Sequence, residues 1–290
     1  MLTIRPESPI PDELLAILEQ VSAQAQELGT PFFVGGATAR DILLTHVLGQ
    51  KIRRATRDVD LGLYVNDWAE FEALKNRLVA SGRFTPAQGS AQRLWHSSRW
   101  PLDLIPFGKV AKGQSIAWPP EHAIVMNVAG FEEAWQSALT VQLCEGLAVP
   151  TCSLPALAVL KLLAWRDRAS QTKKDATDFL LIAQAYGPAQ NEDRLYDTET
   201  QLLLTAHGDV ELAGAELLGR DAAALCKAET ASAVQSMLCN GALCQRLMDQ
   251  LLHAHGGVEG DAAERRLGSV LQAFQRGFTQ ARSRIGSALL

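Results

Sequence analysis

Apolar positions in the first half of the chain follow two periods. Leu14, Leu15, Ile17, Leu18 and Val21 recur at helical spacing between Pro11-Asp12 and Gly29, which predicts a helix packed behind a sheet. Phe32-Phe33-Val34 is a short, wholly apolar run of the kind a buried strand shows. The Gly35-Gly36 pair then lets the backbone turn before a second helix over Ala37–Leu48. Val59–Val65 is predicted as a strand. Asp67 can cap the next helix, in which Trp68, Phe71, Leu74 and Leu78 share one stripe before Gly82 ends it. Gln92–Ser97 and Leu102–Phe107 are predicted to pair across a Ser98–Pro101 turn, and Thr140–Val149 alternates weakly as a last strand.

From Ser153 onward the pattern changes to helix after helix. Ser153 suits an N-cap and Pro155 a first turn, with Leu154, Leu157, Leu160 and Leu163 as the apolar face. Further helices are predicted over Thr172–Tyr186, Glu192–Ala206, Val210–Leu218, Asp221–Leu238, Ala242–His253 and Asp261–Arg284. The fold class is therefore α+β: a mixed sheet flanked by helices over residues 1–150, followed by an α-helical domain over 151–290.

Composition narrows the class of protein. At 290 residues and 47% hydrophobic, the chain can bury a large core in two domains. A net charge of −5 argues against a broad surface for coating nucleic acid, so any such contact is local. The cysteines, Cys144, Cys152, Cys226, Cys239 and Cys244, are odd in number and contain no Cys-x-x-Cys, which indicates neither a disulfide framework nor a zinc ribbon. A zinc site from Cys239, Cys244, His253 and His255 matches no common spacing, and helix packing suits these cysteines better. His46, His96 and His122 show no metal spacing either. The N-terminus lacks an apolar signal core and no run approaches a membrane span, so a cytoplasmic protein is expected.

Candidate chemistry concentrates between Phe32 and Val65. A Gly-Gly turn exposes backbone N–H groups where a helix opens, a site for an anion such as a nucleotide phosphate. On the strand that follows, alternation puts Asp58 and Asp60 on one face and Val59 and Leu61 on the other, and two carboxylates side by side need a cation. A third acid, Asp103, sits among Leu102, Leu104 and Ile105. So placed, it either finds a partner or shifts its pKa to stay neutral, and a metal beside Asp58 and Asp60 supplies a partner. Alone, a Gly-Gly is a turn and an Asp-x-Asp a solvated strand end. Their order and proximity give the combination its meaning.

These residues resemble the DNA-polymerase-β-type nucleotidyltransferase superfamily, which shares a Gly-Gly or Gly-Ser turn, an Asp-x-Asp or Asp-x-Glu pair and a later acid on a neighbouring strand. More narrowly, the chain is similar to bacterial predicted nucleotidyltransferases of the AbiEii type, the group that includes toxins of type IV toxin–antitoxin systems. Ser153–Phe179 resembles that group's helical region, in which a lysine precedes a basic-Asp-x-x-Asp run. Lys161 falls on the lysine, and Lys174, Asp175 and Asp178 fall on the run. The resemblance spans roughly the first two thirds of the chain. The linker from Gly36 to Asp58 is longer than in the smallest superfamily members and carries Lys51, Arg53, Arg54 and Arg57. Arg40-Asp41 is similar to the Gly-Gly…Arg-Asp pattern of tRNA CCA-adding enzymes, but an extra residue precedes the arginine, so CCA addition is not the expected activity.

What the resemblance implies is transfer of an NMP from an NTP such as ATP to an acceptor hydroxyl. Asp58 and Asp60 bridge two Mg²⁺ (or Mn²⁺) ions, and Asp103 completes the acceptor-side ion and helps take the hydroxyl proton. Gly35, Gly36, Arg40, Lys161 and Asp175 are the implied nucleotide-binding residues. tRNA, a protein or a small hydroxyl compound fits as acceptor, and an antitoxin as partner. Each polar residue also has a plainer reading. Lys161 can be a snorkelling surface lysine, and Asp175 and Asp178 can pair with Lys174 on a solvated helix. The Lys51–Arg57 run can be a solvated loop or an RNA or triphosphate contact, and Trp118 ahead of Pro119-Pro120 suits core packing. Two competing functions use the same residues: a nucleotide-binding regulator that has lost turnover, against which the intact acid trio argues, and a magnesium-dependent phosphohydrolase.

Overall fold

A computed structural model describes the chain apart from residues 52–55, 255–260 and 289–290, and leaves the side chains of 253, 254, 261 and 284–288 undescribed. The chain divides into two compact units, Met1–Ser153 and Leu154–Leu290.

In the first unit β1 (Leu2–Thr3) and α1 (Asp12–Leu28) precede β2 (Phe32–Val34), α2 (Gly36–Asp41), β3 (Val59–Val65) and α3 (Trp68–Ala80). There follow β4 (Phe84–Pro86), β5 (Arg93–His96), β6 (Pro101–Gly108), β7 (Ser115–Ala117), β8 (Val125–Asn127), α4 (Phe131–Gln136), β9 (Leu139–Cys144) and β10 (Leu147–Thr151). Eight strands form one mixed sheet in the order β1-β9-β10-β2-β3-β6-β5-β4, and β7 and β8 form a separate hairpin. β3 is antiparallel to β2 and parallel to β6, which puts it among the inner strands.

Period-two alternation makes β3 two-sided. Val59, Leu61, Leu63 and Val65 are buried on one face, beside Leu102 and Leu104 of β6. The other face carries Asp60, Gly62 and Tyr64. Phe33 lies over Gly62, where a Cβ would come within 2.3 Å of its ring, and it begins an aromatic cluster with Phe107, Phe131, Tyr64 and Trp135. That face is thus an aromatic floor at one end and acidic at the other.

Helix ends follow local chemistry. α1 stops at Gly29 in the left-handed conformation, and the Asp67 carboxylate accepts from the Glu70 amide to cap α3. The predicted Ala37–Leu48 helix instead opens at Gly36 and runs on from α2 as a π-helical stretch, Ile42–Val47. Thr140–Val149 is two strands, β9 and β10, since Gly146 at φ +81 turns the chain back.

The second unit contains α5 (Leu154–Arg168), α6 (Lys174–Ala185), a π-helical stretch Tyr186–Asn191, α7 (Glu192–Tyr196), α8 (Thr200–Thr205), α9 (Val210–Leu225), α10 (Ala228–Leu238), α11 (Gly241–Ala254) and α12 (Asp261–Ala288). The predicted Glu192–Ala206 helix is broken into α7 and α8. The break predicted near Gly219 does not occur, and α9 runs through it. Gly219 is a contact glycine: a Cβ there would lie 2.2 Å from the Phe274 carbonyl, and one at Gly277 would lie 1.9 Å from the Glu216 carbonyl. The backbones of α9 and α12 therefore touch, which only a missing side chain on each helix permits.

Candidate active site

The glycine turn is built against the acids. The Gly35 amide donates to the Asp60 carbonyl at 2.8 Å, tying the end of β2 to β3. Gly36 sits at φ +60, and a Cβ on it would fall 1.8 Å from Asp60 Oδ2. Both its conformation and the carboxylate beside it exclude any side chain. Thr38 Oγ1 donates to the Asp58 carbonyl at 2.6 Å, fixing α2 to the residue two places before Asp60.

Asp60 faces Asp103 in register across β3 and β6, and Asp103 faces Arg93 in register across β6 and β5. Residues in register point to the same face, so the three form one row across neighbouring strands. Arg93 grips Asp103 with both arms of its guanidinium, Nε to Oδ1 and Nη2 to Oδ2, each at 2.7 Å. The Asp103 side chain is 13% exposed and that of Arg93 34%. The Arg93 guanidinium is pushed above its ordinary pKa by the hydrogen bonds to Asp103, against the opposing effect of burial, with help from the charges of Asp103, Asp58 and Asp60. All three acids thus act on this one cation.

Behind the acids runs a polar brace. Arg40 Nε and Nη2 bind Asp41 Oδ1 at 2.8 and 2.5 Å, Asp41 Oδ2 accepts from the Thr56 amide at 3.1 Å, and Thr56 Oγ1 accepts from the Asp58 amide at 3.2 Å. Arg40, expected as a nucleotide contact, is only 2% exposed, and its guanidinium serves this brace. Of the basic run before Asp58, Lys51 and Arg57 are exposed, while Arg53 and Arg54 lie outside the described residues.

Asp58, Asp60 and Asp103 fit Mg²⁺ or Mn²⁺ in kind, as hard oxygen donors on neighbouring elements. Among the described residues no group of three or more carboxylate, histidine or cysteine side chains is gathered closely enough to hold a metal ion. Asp103 has both oxygens bound to Arg93, so a metal ion ligated there meets the guanidinium's positive charge.

In the second unit, Lys161 Nζ lies 3.3 Å from Asp175 Oδ1 and 2.6 Å from Asp178 Oδ2. Arg168 reaches the same Asp175 from across the connection between α5 and α6, Nε to Oδ2 at 2.6 Å and Nη2 to Oδ1 at 2.9 Å. Burial, at 1% exposure, pushes the Asp175 carboxyl up, but the Arg168 hydrogen bonds and the Lys161 charge outweigh it and hold the pKa below the usual range. Lys161 is buried here and does not snorkel, and the acids pair with it and with Arg168 while Lys174 is exposed.

The remaining polar candidates have local contacts, although His96 Nε2 and Trp118 Nε1 are buried without a hydrogen-bond partner. His46 Nδ1 lies 2.7 Å from the Ser8 carbonyl, His96 Nδ1 2.8 Å from Ser98 Oγ and His122 Nδ1 2.9 Å from the Ala117 carbonyl. Trp118 is buried against Trp68 and Phe71. Cys239 and Cys244 are free thiols, whereas the His253 side chain and His255 lie outside the described residues. Arg93, Thr38 and Arg168 escaped the sequence reading because each bonds across a turn or loop, where no periodicity links the partners.

The sequence model of the family described as nucleotidyl transferase AbiEii toxin, type IV TA system, matches residues 17–238, more than half of the chain. No curated protein matches. Among solved structures, the chain is similar to the antibiotic-resistance factor ANT(2'')-Ia, at 17% identity and a TM-score of 0.36 over 68% of this chain and 97% of that one. It is also similar to the Thermotoga maritima CCA-adding enzyme complexed with tRNA, at 11% identity and a TM-score of 0.27 over 97% of this chain and 84% of that one.

Proposed function

Because the chain belongs to the AbiEii family and is a nucleotidyltransferase, we propose that it moves an NMP from an NTP to an acceptor hydroxyl with two Mg²⁺ ions, and that it acts as the toxin of a toxin–antitoxin pair. The observation that carries the reading is the contact between the Gly36 turn and Asp60, which lies in register with Asp103, so that a side-chain-free turn and two carboxylates adjoin. In the reaction the acceptor oxygen forms a bond to the α-phosphorus, the bond to the bridging oxygen of the β-phosphate breaks, and pyrophosphate leaves.

Asp58, Asp60 and Asp103 are the proposed holders of the ions, which when bound neutralise the triphosphate and polarise the hydroxyl. Asp103 is also the proposed acceptor of the hydroxyl proton. The Gly36 backbone amide is the proposed triphosphate contact, and Gly35, whose amide is given to the Asp60 carbonyl, acts by holding the turn against β3. In the second unit Lys161 is buried and held by Asp175 and Asp178, and its proposed part is to fix α5 to α6. Asp175, enclosed and doubly paired, acts by orienting Lys161 and Arg168, and Arg40 acts by bracing Asp58 through Asp41 and Thr56.

Incubation with each α-labelled NTP, Mg²⁺ and a bacterial lysate tests class and acceptor together. Label is expected on one macromolecule or small hydroxyl compound, with release of pyrophosphate, and Asp60→Asn is expected to abolish both. Nucleotide binding without any labelled acceptor marks a regulator instead. Free phosphate or NMP without a labelled acceptor marks a phosphohydrolase.

A further inference from the structure

The acid row contains its own cation. Asp60, Asp103 and Arg93 stand side by side on three adjacent strands, and Arg93 takes both oxygens of Asp103. We propose that Arg93 is a positioning residue that fills the cation's place in the nucleotide-free protein and hands Asp103 over when metal and nucleotide load. The inference rests on the metal-dependent reading above.

Carboxylates gathered on one face repel unless a positive charge stands among them. In the protein without metal, the Arg93 guanidinium supplies that charge. A guanidinium has donors only and stays protonated at any physiological pH, so its charge opposes a divalent cation at Asp103 and is not removed by losing a proton. The competition is settled by movement. The backbone of Arg93 cannot supply it, because β5 is paired on one side with β4 and on the other with β6. The side chain can: it is the more exposed member of the pair, 34% against 13%, and swings towards solvent on the same face. Once released, its nearest proposed anion is the triphosphate facing the glycine turn. Arg93 thus keeps the acids assembled before the substrate arrives and sets how tightly metal binds without nucleotide.

A purely structural brace predicts the opposite of this exchange. If Arg93 only pins β5 to β6, removing it loosens the acid row and weakens metal binding. The test is direct Mn²⁺ binding to the full, nucleotide-free chain, followed by electron paramagnetic resonance of the free ion. Arg93→Met, which keeps the apolar stem and drops the charge, is expected to bind Mn²⁺ about tenfold more tightly than the native chain. Arg93→Lys is expected to gain less, and Asp60→Asn to lose binding. In the native chain, titration with Mg²⁺ is expected to shift the ¹⁵N signal of Arg93 Nε–H away from its carboxylate-bonded position in step with saturation. This second measurement decides the matter even where the methionine variant folds poorly. Equal or weaker Mn²⁺ binding by folded Arg93→Met, or an Nε–H signal unmoved at Mg²⁺ saturation, overturns the proposal. Metal binding that needs Asp60 and ignores Arg93 overturns this inference alone, while no metal binding by the native chain overturns the two-ion reading with it.

Discussion

Gly36 is the residue on which most of the site's geometry turns, since its left-handed backbone and the Asp60 carboxylate each forbid a Cβ. Gly36→Ala is expected to cost about 1–3 kcal/mol of stability, from backbone strain and the forced shift of Asp60, and to lower label transfer at least about 100-fold. Denaturant unfolding and the transfer assay check the two separately. Asp175 carries the residue-scale dependence on pH. Its pKa is depressed in the folded chain by Arg168 and Lys161, so the stability it contributes is complete above the ordinary carboxylate pKa of about 4. It is lost as pH falls through the lower, folded value. Asp175→Asn takes from the buried Lys161 one of its two carboxylates and from the half-exposed Arg168 its buried partner, and is expected to destabilise by about 1–3 kcal/mol at neutral pH. The loss of stability on acidification is expected to be shallower in this variant than in the native chain, as urea midpoints between pH 3 and 7 measure.

Among the elements, α9 and α12 meet backbone to backbone, and the contact has no slack. Gly277→Ala puts a methyl group against the Glu216 carbonyl and is expected to lower stability by about 1–3 kcal/mol while leaving the chemistry of the first unit intact. Calorimetric unfolding beside the transfer assay distinguishes those outcomes. The same glycines explain where the chain misleads a reader. Gly219 suggests a helix end because glycine is a poor helix former, yet it is kept for closeness to α12, which no local pattern reveals. Long stripes such as Leu14–Val21 and the Asp67 cap are read correctly, since burial and capping both act within a few residues. The β5–β6 hairpin is legible as two strands but not in its register. Predicted spans facing each other across Ser98–Pro101 set Asp103 opposite His96, whereas Trp95 pairs with Pro101 and brings Arg93 to Asp103. Arg99 at φ +66 helps set that turn, and few signals in sequence mark an arginine for such a conformation.

At the scale of the whole molecule, activity and stability are expected to separate. Asp60→Asn removes a half-buried charge from beside two other carboxylates and one guanidinium, so its stability is expected to stay within about 1 kcal/mol of native while label transfer falls at least about 100-fold. Parallel measurement of unfolding and transfer on one preparation checks this. The mixed sheet, its helical sequel and the family were legible from motif order, because a glycine pair followed by an Asp-x-Asp strand is local in sequence. The ion pairs of Arg93 and Arg168 were not, because each depends on the geometry of the turn between its two elements. The fit of glycine to carboxylate also imposes a direction on change over generations. A descendant can discard the acid and later tolerate bulk at the turn, but bulk arriving first collides with a carboxylate still in place. In Gly36→Ala with Asp60→Gly, part of the lost stability should return, and relatives that have abandoned catalysis should show the acid gone before the glycine.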